Sequence, residues 1–240
     1  HGNPCGVSAL KNNLDSYKSA LESDPISAFG GIVSCNYKIN QKLALILNKT
    51  FLEVVIANGF DKKALEILKL KKNLRLIDSS KISFNEVWKF NSVDNFTLIQ
   101  SEDKAKISKK DFRVVSKRKP NKSQLNNLMF AFNICRYTKS NAIVLTNNMS
   151  TIGIGSGQSS RLDSCEIAIA KMNKFSKIKN EIVAATDAFF PFVDGIEKLV
   201  QSGASAIVQP AGSIRDKEII KFANETNTVL IFSKTRHFKH

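Results

Sequence analysis

The residue types best suited to chemistry are concentrated in one stretch of the sequence, residues 140–161. Its pattern predicts a strand over 142–146, a tight turn at 147–148, a second strand over 151–154 and a helix from about residue 158. Gly153, Gly155 and Gly157 occupy alternate positions, so an extended chain would expose a backbone face without side chains. That face could be a floor for a flat ligand, but a sheet corner packed tightly against a helix explains the glycines equally well.

The start of the helix after these glycines is a candidate anion site. The first turn of a helix carries backbone N–H groups that have no partner within the helix, and Arg161 adds a positive charge there. We therefore expect the corner at Asn141 and Arg161 to hold an anion or a carbonyl group.

The aromatic loop that follows the next predicted strand is a second candidate surface. Phe189, Phe190 and Phe192 surround Pro191 and could form a stacking wall for a planar ring, although such a group is as often a buried plug. Asp194 follows them in the sequence. Its carboxylate could hydrogen-bond the edge of a heterocycle or cap the next helix, and the sequence favours neither.

Histidines occur only near the two ends of the sequence, as His1, His237 and His240. A histidine is a natural proton acceptor near neutral pH, but one near a terminus is usually just exposed. The residues by themselves therefore indicate an α/β enzyme with a cleft for a flat anionic ligand.

The cysteines argue against a metal site. The four of them form no Cys-x-x-Cys pair and have no histidine at metal-ligand spacing. Pro4 and Cys5 match half of the Pro-Cys-x-x-Cys signature of zinc deaminases, but Ser8 stands at the second cysteine position. We expect reduced thiols and no bound metal.

The composition is that of a globular protein with a strong positive charge. No apolar run reaches the length of a membrane span and the start lacks a signal-peptide pattern, so we expect a cytoplasmic protein without a membrane partner. The formal net charge of +15 raises the alternative of a basic nucleic-acid-binding protein on an enzyme-like fold. However, no dense basic run is interleaved with aromatic residues, so a solvated lysine-rich surface is favoured. The same charge would attract small polyanionic substrates.

Alternating strands and helices must position these loops. Ser8 is predicted to cap a helix that runs to about residue 22, and the spacing of elements over residues 32–77 predicts parallel strand crossovers. From residue 78 to 116 the pattern loosens into an antiparallel excursion or connecting arm. The order of elements indicates an α/β fold.

The two halves of the sequence echo each other. The motif Asp-Pro-x-x-Ala-Phe at 24–29 resembles Asp-Ala-Phe-Phe-Pro-Phe at 187–192, and strands and helices of similar lengths follow each motif. We therefore predict a duplicated α/β unit, with one subdomain and its connecting arm over residues 1–116 and a linker helix with a second subdomain over residues 117–240. The first residue is histidine rather than methionine, so we expect a part of a longer chain.

Seven motifs, in order along the whole chain, resemble one known family. They are HGNPCG at 1–6, SDPISAFGG at 23–31, KSNAIV at 139–144, TIGIGSGQSSR at 151–161, TDAFFPFVDG at 186–195, QPAGSIRD at 209–216 and RHFKH at 236–240. They are similar to the transformylase domain of the bifunctional purine-biosynthesis enzymes, which join phosphoribosylaminoimidazolecarboxamide (AICAR) formyltransferase to IMP cyclohydrolase.

The resemblance implies a fold and a reaction. The fold would be a duplicated cytidine-deaminase-like α/β unit of three layers, without zinc. The reaction would transfer a formyl group from 10-formyltetrahydrofolate to the 5-amino group of AICAR, giving FAICAR for IMP synthesis. That amine is a poor nucleophile because its lone pair is delocalised. The reaction therefore needs a base, donors for the developing oxyanion and two firmly oriented substrates.

The resemblance also implies roles for individual residues. His1, as proton acceptor, and Asn141 would be catalytic. The AICAR site would be lined by His1, Gly30, Glu53, Asn141, Arg161, Phe189, Arg236 and His240. Arg236 suits the phosphate because its planar fork matches phosphate oxygens. The folate would contact Leu162, Asp194, Ala211 and Gly212.

Family members are homodimers whose sites use both subunits, so the resemblance implies a homodimer that binds AICAR and the folate and does not bind nucleic acid. The family also has a lysine before the first histidine motif, an upstream Arg-Tyr-Gly segment and a cyclohydrolase domain. None of these is in the sequence, so we expect an incomplete site in this chain.

Overall fold

The computed structural model describes residues 2–83, 88–177 and 180–239. The chain divides into two compact units, a larger one from His1–Ala28 and Ile107–His240 and a smaller one from Phe29–Lys106. These units are defined by how compact they are. The predicted segments 1–116 and 117–240 are instead the two copies of a duplicated unit, and the boundary between them stays a prediction. Both units mix helices with strands, so the chain is an α/β protein. Within the described residues, no helix is long and apolar enough to cross a membrane.

The elements follow the predicted order. The strands are β1 Gly31–Cys35, β2 Leu52–Ala57, β3 Arg75–Asp78, β4 Trp88–Val93, β5 Phe96–Ser101, β6 Phe112–Val114, β7 Ile143–Asn147, β8 Ser150–Gly155, β9 Ile182–Thr186, β10 Ala204–Pro210 and β11 Val229–Ser233. The helices are α1 Asn13–Ser23, α2 Gln41–Leu47, α3 Lys62–Leu68, α4 Lys122–Cys135, α5 Arg161–Phe175, α6 Val193–Gln201 and α7 Asp216–Glu225, with a short 3-10 helix at Lys109–Asp111.

The larger unit is built on a six-stranded sheet in the order β6-β11-β10-β9-β7-β8. Strands β9, β10 and β11 are parallel, while β6 and β7 pair antiparallel with their neighbours. Alternate residues of β9 pack in two different hydrophobic clusters, one on each face of the sheet. Val183 belongs to the cluster that contains Phe132 of α4, and Ala184 belongs to the cluster that contains Ala168 of α5. Because both faces of the sheet are covered by helices, its strands β9, β10 and β11 are buried almost throughout.

The smaller unit contains a three-stranded parallel sheet in the order β1-β2-β3, with α2 and α3 as the connections. This confirms the predicted parallel crossovers. Strands β4 and β5 pair as a separate antiparallel hairpin, which confirms the antiparallel excursion.

Three predicted boundaries were wrong. Helix α1 begins after Asn12, whose side chain caps it by accepting the N–H groups of Leu14 and Asp15. Ser8 cannot be the cap because it is extended and pairs with Ser150 of β8. The turn between β7 and β8 is Asn148–Met149, one residue later than expected, and both residues have positive φ. Helix α5 begins at Arg161 rather than near residue 158, because the Ser160 side chain caps it by accepting the Asp163 N–H at 3.0 Å.

Candidate functional site

The glycines of β8 serve packing, so the interpretation of Gly153 and Gly155 as a ligand floor was wrong. A Cβ added at Gly155 would lie 1.9 Å from the carbonyl oxygen of Ser164, and one at Gly153 would lie 2.2 Å from that of Ala168. The missing side chains let the backbone of α5 rest directly on β8. Gly157 instead has φ of +69°, a turn conformation that favours glycine.

The close approach of β8 and α5 brings Asn141 and Arg161 together. The Arg161 Nη2 group donates to Asn141 Oδ1 at 2.8 Å. The Asn141 Nδ2 group donates to the carbonyls of Gln158 and Ser159 at 3.0 and 3.2 Å. Both ends of the amide are therefore engaged, and its orientation is fixed by the loop that leads into α5.

Arg161 is almost fully buried, and its charge is balanced within the protein. It is 8% exposed, and Nη1 donates to Thr186 Oγ1 at 2.6 Å and to Asp187 Oδ1 in an ion pair. The expected anion site at this corner therefore already contains a carboxylate of the chain itself. A neutralised, fixed guanidinium is better suited to donate to a carbonyl oxygen than to attract a free anion.

Asp187 was not predicted from the sequence as a site residue. Asp187 has no exposed surface, and its Oδ2 accepts the hydroxyl of Ser140 at 2.6 Å. A usable signal was present, because Asp187 directly follows the mostly apolar strand β9, and ligand sites of α/β sheets lie at the carboxyl ends of parallel strands. Below, the Arg161–Asp187 network denotes the following residues: Ser140, Asn141, Arg161, Thr186 and Asp187.

The carboxyl-terminal tail packs against this network. The His237 N–H donates to the Asp187 carbonyl at 3.0 Å, and its ring centre lies 4.7 Å from that of Phe132. His237 is 1% exposed, so the expectation that a histidine near a terminus is exposed was wrong for this residue. The tail is buried here because α4 supplies an aromatic surface for it.

The first described residues also reach this region. The Asn3 side chain accepts the N–H of Lys139 at 2.7 Å, and Lys239 Nζ donates to the Gly2 carbonyl at 2.5 Å. The start of the chain is therefore held beside the segment that precedes Asn141. His1 and His240, both predicted site residues, lie outside the described residues.

Arg236 is exposed and differs from Arg161 in its surroundings. Its guanidinium carbon lies 5.9 Å from the ring centre of Phe189 and 5.7 Å from that of Phe238. It forms no ion pair with any residue in the described part of the chain. Its charge is therefore available to an anionic group, and Phe189 holds it from one side.

In the aromatic loop, one ring is a buried plug and another is exposed, and a stacking wall for a ligand stays a prediction. Phe190 is a buried plug that packs on Gly195, where an added Cβ would lie 2.6 Å from its ring. Phe192 is 51% exposed and stacks with the guanidinium of Arg215, 4.8 Å from its ring centre. Asp194 is not the N-cap of α6, which is Phe192, but its Oδ1 accepts the Gly195 N–H at 2.6 Å.

The other predicted folate residues lie on the carboxyl side of the same sheet. Leu162 is half-buried in the first turn of α5, and Ala211 and Gly212 form an exposed loop after β10. The Gly212 N–H donates to Asp216 Oδ2 at 2.9 Å. An added Cβ at Gly212 would meet open space, so this loop leaves room for a ligand along its backbone.

Gln209, the residue before Pro210, was not among the residues predicted from the sequence. It has no exposed surface, and neither amide atom has a hydrogen-bond partner among the described residues. By strand register it lies beside Phe232 of β11. A buried amide without partners costs free energy, which is typical of functional positions rather than of packing.

The buried thiols near this region are poor nucleophiles. Burial raises the pKa of Cys135 well above its ordinary value and raises that of Cys165 to about 12. A thiol must ionise to act as a nucleophile or a metal ligand, so neither group is suited to these roles at neutral pH.

Two predicted AICAR residues belong to the smaller unit. Gly30 has φ of +69°, and its N–H donates to the Phe51 carbonyl at 3.0 Å. Glu53 is exposed on β2. Their contribution to a site with Asn141 stays a prediction.

Comparison with known proteins assigns the chain to a family. Residues 1–171 match the family model described as "AICARFT/IMPCHase bienzyme". Proteins named "Bifunctional purine biosynthesis protein PurH" are similar over the entire chain: one from Buchnera aphidicola subsp. Acyrthosiphon pisum (strain Tuc7) is 45% identical, one from Caldicellulosiruptor saccharolyticus is 43% identical and one from Chlorobium phaeobacteroides is 40% identical. The chain spans 46% of the length of each of these curated relatives. On these matches, the chain belongs to the AICARFT/IMPCHase bienzyme family.

Proposed function

We propose that this chain is the transformylase part of an enzyme of purine biosynthesis. It would transfer the formyl group of 10-formyltetrahydrofolate to the 5-amino group of AICAR, giving FAICAR on the route to IMP. The observation that carries the proposal is the pairing of Asn141 with a charge-balanced Arg161 in the same unit as the exposed Arg236. AICAR has a carboxamide and a phosphate, and these two arginines are suited to one group each.

The residues would have the following roles in this reaction. Arg236 would bind the phosphate and Phe189 would stack on the imidazole ring, while Asn141 and Arg161 would orient the carboxamide and the amine. His1 would accept the proton that the amine loses when it attacks the formyl carbon. Leu162, Asp194, Ala211 and Gly212 would bind the folate, which is a co-substrate rather than a resident cofactor. The chemistry requires no metal ion.

We propose that the fold is a duplicated cytidine-deaminase-like unit. Each compact unit contains three parallel strands that are neighbours in the sheet and are linked by two helices: β1-α2-β2-α3-β3 in the smaller unit and β9-α6-β10-α7-β11 in the larger one. This repetition supports the predicted duplication.

We further propose that the protein is a cytoplasmic homodimer that shares its active sites. Support comes from the β4–β5 hairpin, whose two faces both carry exposed apolar side chains. Its pairing places Phe90 and Ile99 on one face and Val93 and Phe96 on the other, each at least 57% exposed. Such a surface is typical of a segment that another chain covers. The parent protein would also carry IMP cyclohydrolase activity in a part that this chain does not contain.

The first test is AICAR binding to this chain at physiological salt, measured by calorimetry. We expect saturable binding that Arg236→Ala weakens at least about tenfold, since a phosphate contact is lost. Arg113→Ala is the matched control, because it removes another exposed arginine whose guanidinium lies over a phenylalanine ring, that of Phe232. Equal losses in both variants would contradict the role of Arg236. Absence of binding in this chain and also in a version extended at its start would contradict the proposed function.

The net charge of +15 keeps nucleic-acid binding as a second candidate. Its signature would be affinity for a DNA oligonucleotide that falls steeply as salt rises, because bound counterions are released. We expect only weak and non-saturable binding at physiological salt. Tight, salt-dependent binding together with no affinity for AICAR would favour this candidate over the transformylase.

A further inference from the structure

The Arg161–Asp187 network has a feature that the proposed chemistry does not explain by itself. Asp187 is fully buried, yet both of its carboxylate oxygens are used, Oδ1 by Arg161 and Oδ2 by Ser140. Its backbone is held as well, since its N–H donates to the Ala142 carbonyl and its carbonyl accepts from His237. A burial this complete is costly for a carboxylate unless each contact is made, so the position is specified in detail.

The contacts of Asp187 determine which parts of Arg161 remain available. Both N–H bonds of Nη1 are directed inward, to Thr186 and Asp187. Nη2 donates one N–H to Asn141 Oδ1. Among the described residues, no acceptor is found for the second N–H of Nη2. The planar guanidinium cannot rotate to present another edge without breaking the contact with Asp187.

The same carboxylate also reaches the segment that contains Asn141. Ser140 Oγ donates to Asp187 Oδ2 at 2.6 Å and accepts the Lys239 N–H at 3.2 Å. Asp187 therefore holds Arg161 from one side and the residue before Asn141 from the other. One buried group fixes the separation of the two side chains that face the substrate.

We propose that Asp187 is the positioning residue of this site. It would set the rotamer of Arg161 and the place of Asn141, and would neutralise Arg161 so that the site binds a neutral carboxamide rather than a second anion. Asp187 does not touch the substrate and acts through Arg161 and, by way of Ser140, through Asn141. This inference rests on the proposed function for the identity of the substrate, but the contact that it describes does not.

The test is a double-mutant cycle on AICAR affinity, with folding followed by thermal unfolding. We expect Asp187→Asn to weaken AICAR binding about tenfold, because the guanidinium loses its charged partner. In an Arg161→Ala background the same change should have an effect of at most about threefold, because only the contact of Asp187 with Ser140 remains. Ser140→Ala keeps the ion pair and removes one hydrogen bond to Asp187, so it provides a milder variant if Asp187→Asn does not fold. It should weaken binding about threefold, and this loss should vanish in an Asn141→Ala background, because Ser140 is the residue through which Asp187 positions Asn141.

A second measurement tests the contact without any substrate. Arg161→Gly leaves a space in which added methylguanidinium can replace the lost side chain, and we expect this cation to raise the melting temperature of the variant. It should not do so for Arg161→Gly with Asp187→Asn, since the carboxylate that would hold it is absent. An equal rise in both variants would overturn the inference.

The two failures are distinguishable. If the wild-type chain and its extended version bind no AICAR, the proposed function fails and the role of Asp187 in substrate binding fails with it. If the wild type and Asp187→Asn bind AICAR equally well, only the positioning role is overturned. The same holds if the losses of AICAR affinity in Asp187→Asn and Arg161→Ala multiply in the double variant.

Discussion

Asn141 Oδ1 accepts a hydrogen bond from Arg161 Nη2 at 2.8 Å, although the two residues are twenty positions apart and belong to different elements. Asn141 precedes the first strand of a hairpin, and Arg161 opens the helix that follows the second strand. The contact exists because the glycines of β8 let that helix lie on the strand. Local packing thus sets the geometry of the two side chains to which we assign the substrate.

If these side chains orient AICAR, their removal must slow the reaction. We expect Asn141→Ala and Arg161→Ala each to lower formyl transfer at least about tenfold in a full-length protein, or roughly 1.4 kcal/mol of transition-state stabilisation. Asn147→Ala is the control, because Asn147 lies at the other end of β7 and its side chain donates to the carbonyls of Asn180 and Glu181, away from Asn141. The measurement is the steady-state rate of FAICAR formation. Wild-type rates in both site variants would contradict the assignment.

The tight contact of β8 with α5 predicts a large loss of stability on adding a single methyl group. Gly155→Ala would place a Cβ 1.9 Å from the Ser164 carbonyl oxygen, and relief of that overlap must separate the helix from the strand. We expect the free energy of unfolding to fall by about 3 kcal/mol. Ser156→Ala, at the next position, adds no atoms and should change it by less than about 0.5 kcal/mol. Urea denaturation of both variants provides the measurement, and equal midpoints would argue against this packing.

The ion pair between Asp24 and Lys171 predicts a pH dependence of stability. Burial by itself would raise the pKa of Asp24, but hydrogen bonds from Lys171, at 2.8 Å, and from Ser27 outweigh it and hold the pKa below 3.8. A carboxylate with a lowered pKa stabilises the fold above its unfolded pKa, and this stability is lost as the pH falls through the folded pKa.

We therefore expect the wild type to be more stable than Asp24→Asn by a constant amount between pH 5 and pH 7, with a difference that shrinks below about pH 3.8. Denaturant unfolding at a series of pH values measures this difference. Asp15→Asn removes an exposed carboxylate from α1 and serves as the control for net charge. A difference from Asp24→Asn that is the same at every pH would show that the ion pair does not contribute.

Gln209 predicts a gain in stability from a mutation. Its amide is fully buried without hydrogen-bond partners in the described part of the chain, so Gln209→Met should remove two unsatisfied groups while keeping the volume. We expect the free energy of unfolding to rise by about 1–2 kcal/mol. The comparison is Gln124→Met, because Gln124 is also buried but its side chain bonds Asn121 and Ser205, and this change should destabilise the protein.

The same variant bears on function. If the Gln209 amide is kept for a ligand, Gln209→Met should be more stable but should catalyse formyl transfer more slowly, as expected where stability is given up for a functional group. Thermal unfolding and the transfer rate, measured on one preparation, separate the two effects. A variant that is less stable than the wild type would contradict the view that this amide is unsatisfied.

The sequence by itself determined the kind of protein and the order of its elements. The strand patterns at residues 32–35, 54–57 and 74–77, separated by helical spacing, predicted parallel strands with helical crossovers, and the structure has them. The ordered motifs likewise indicated the family, because residue types at fixed spacing can be recognised without knowledge of the fold. These features are local, so the neighbouring residues are sufficient to specify them.

Tertiary structure alone decided which side chains meet and what each one does. Ser8 is extended because it pairs with Ser150, and His237 is buried because it packs against Phe132. The β8 glycines contact a helix instead of a ligand. Asp187 joins Arg161 across 26 positions of sequence, at the point where a strand end and a helix start converge. Contacts between residues distant in the chain depend on how its elements pack together, which the local pattern of a single sequence does not contain.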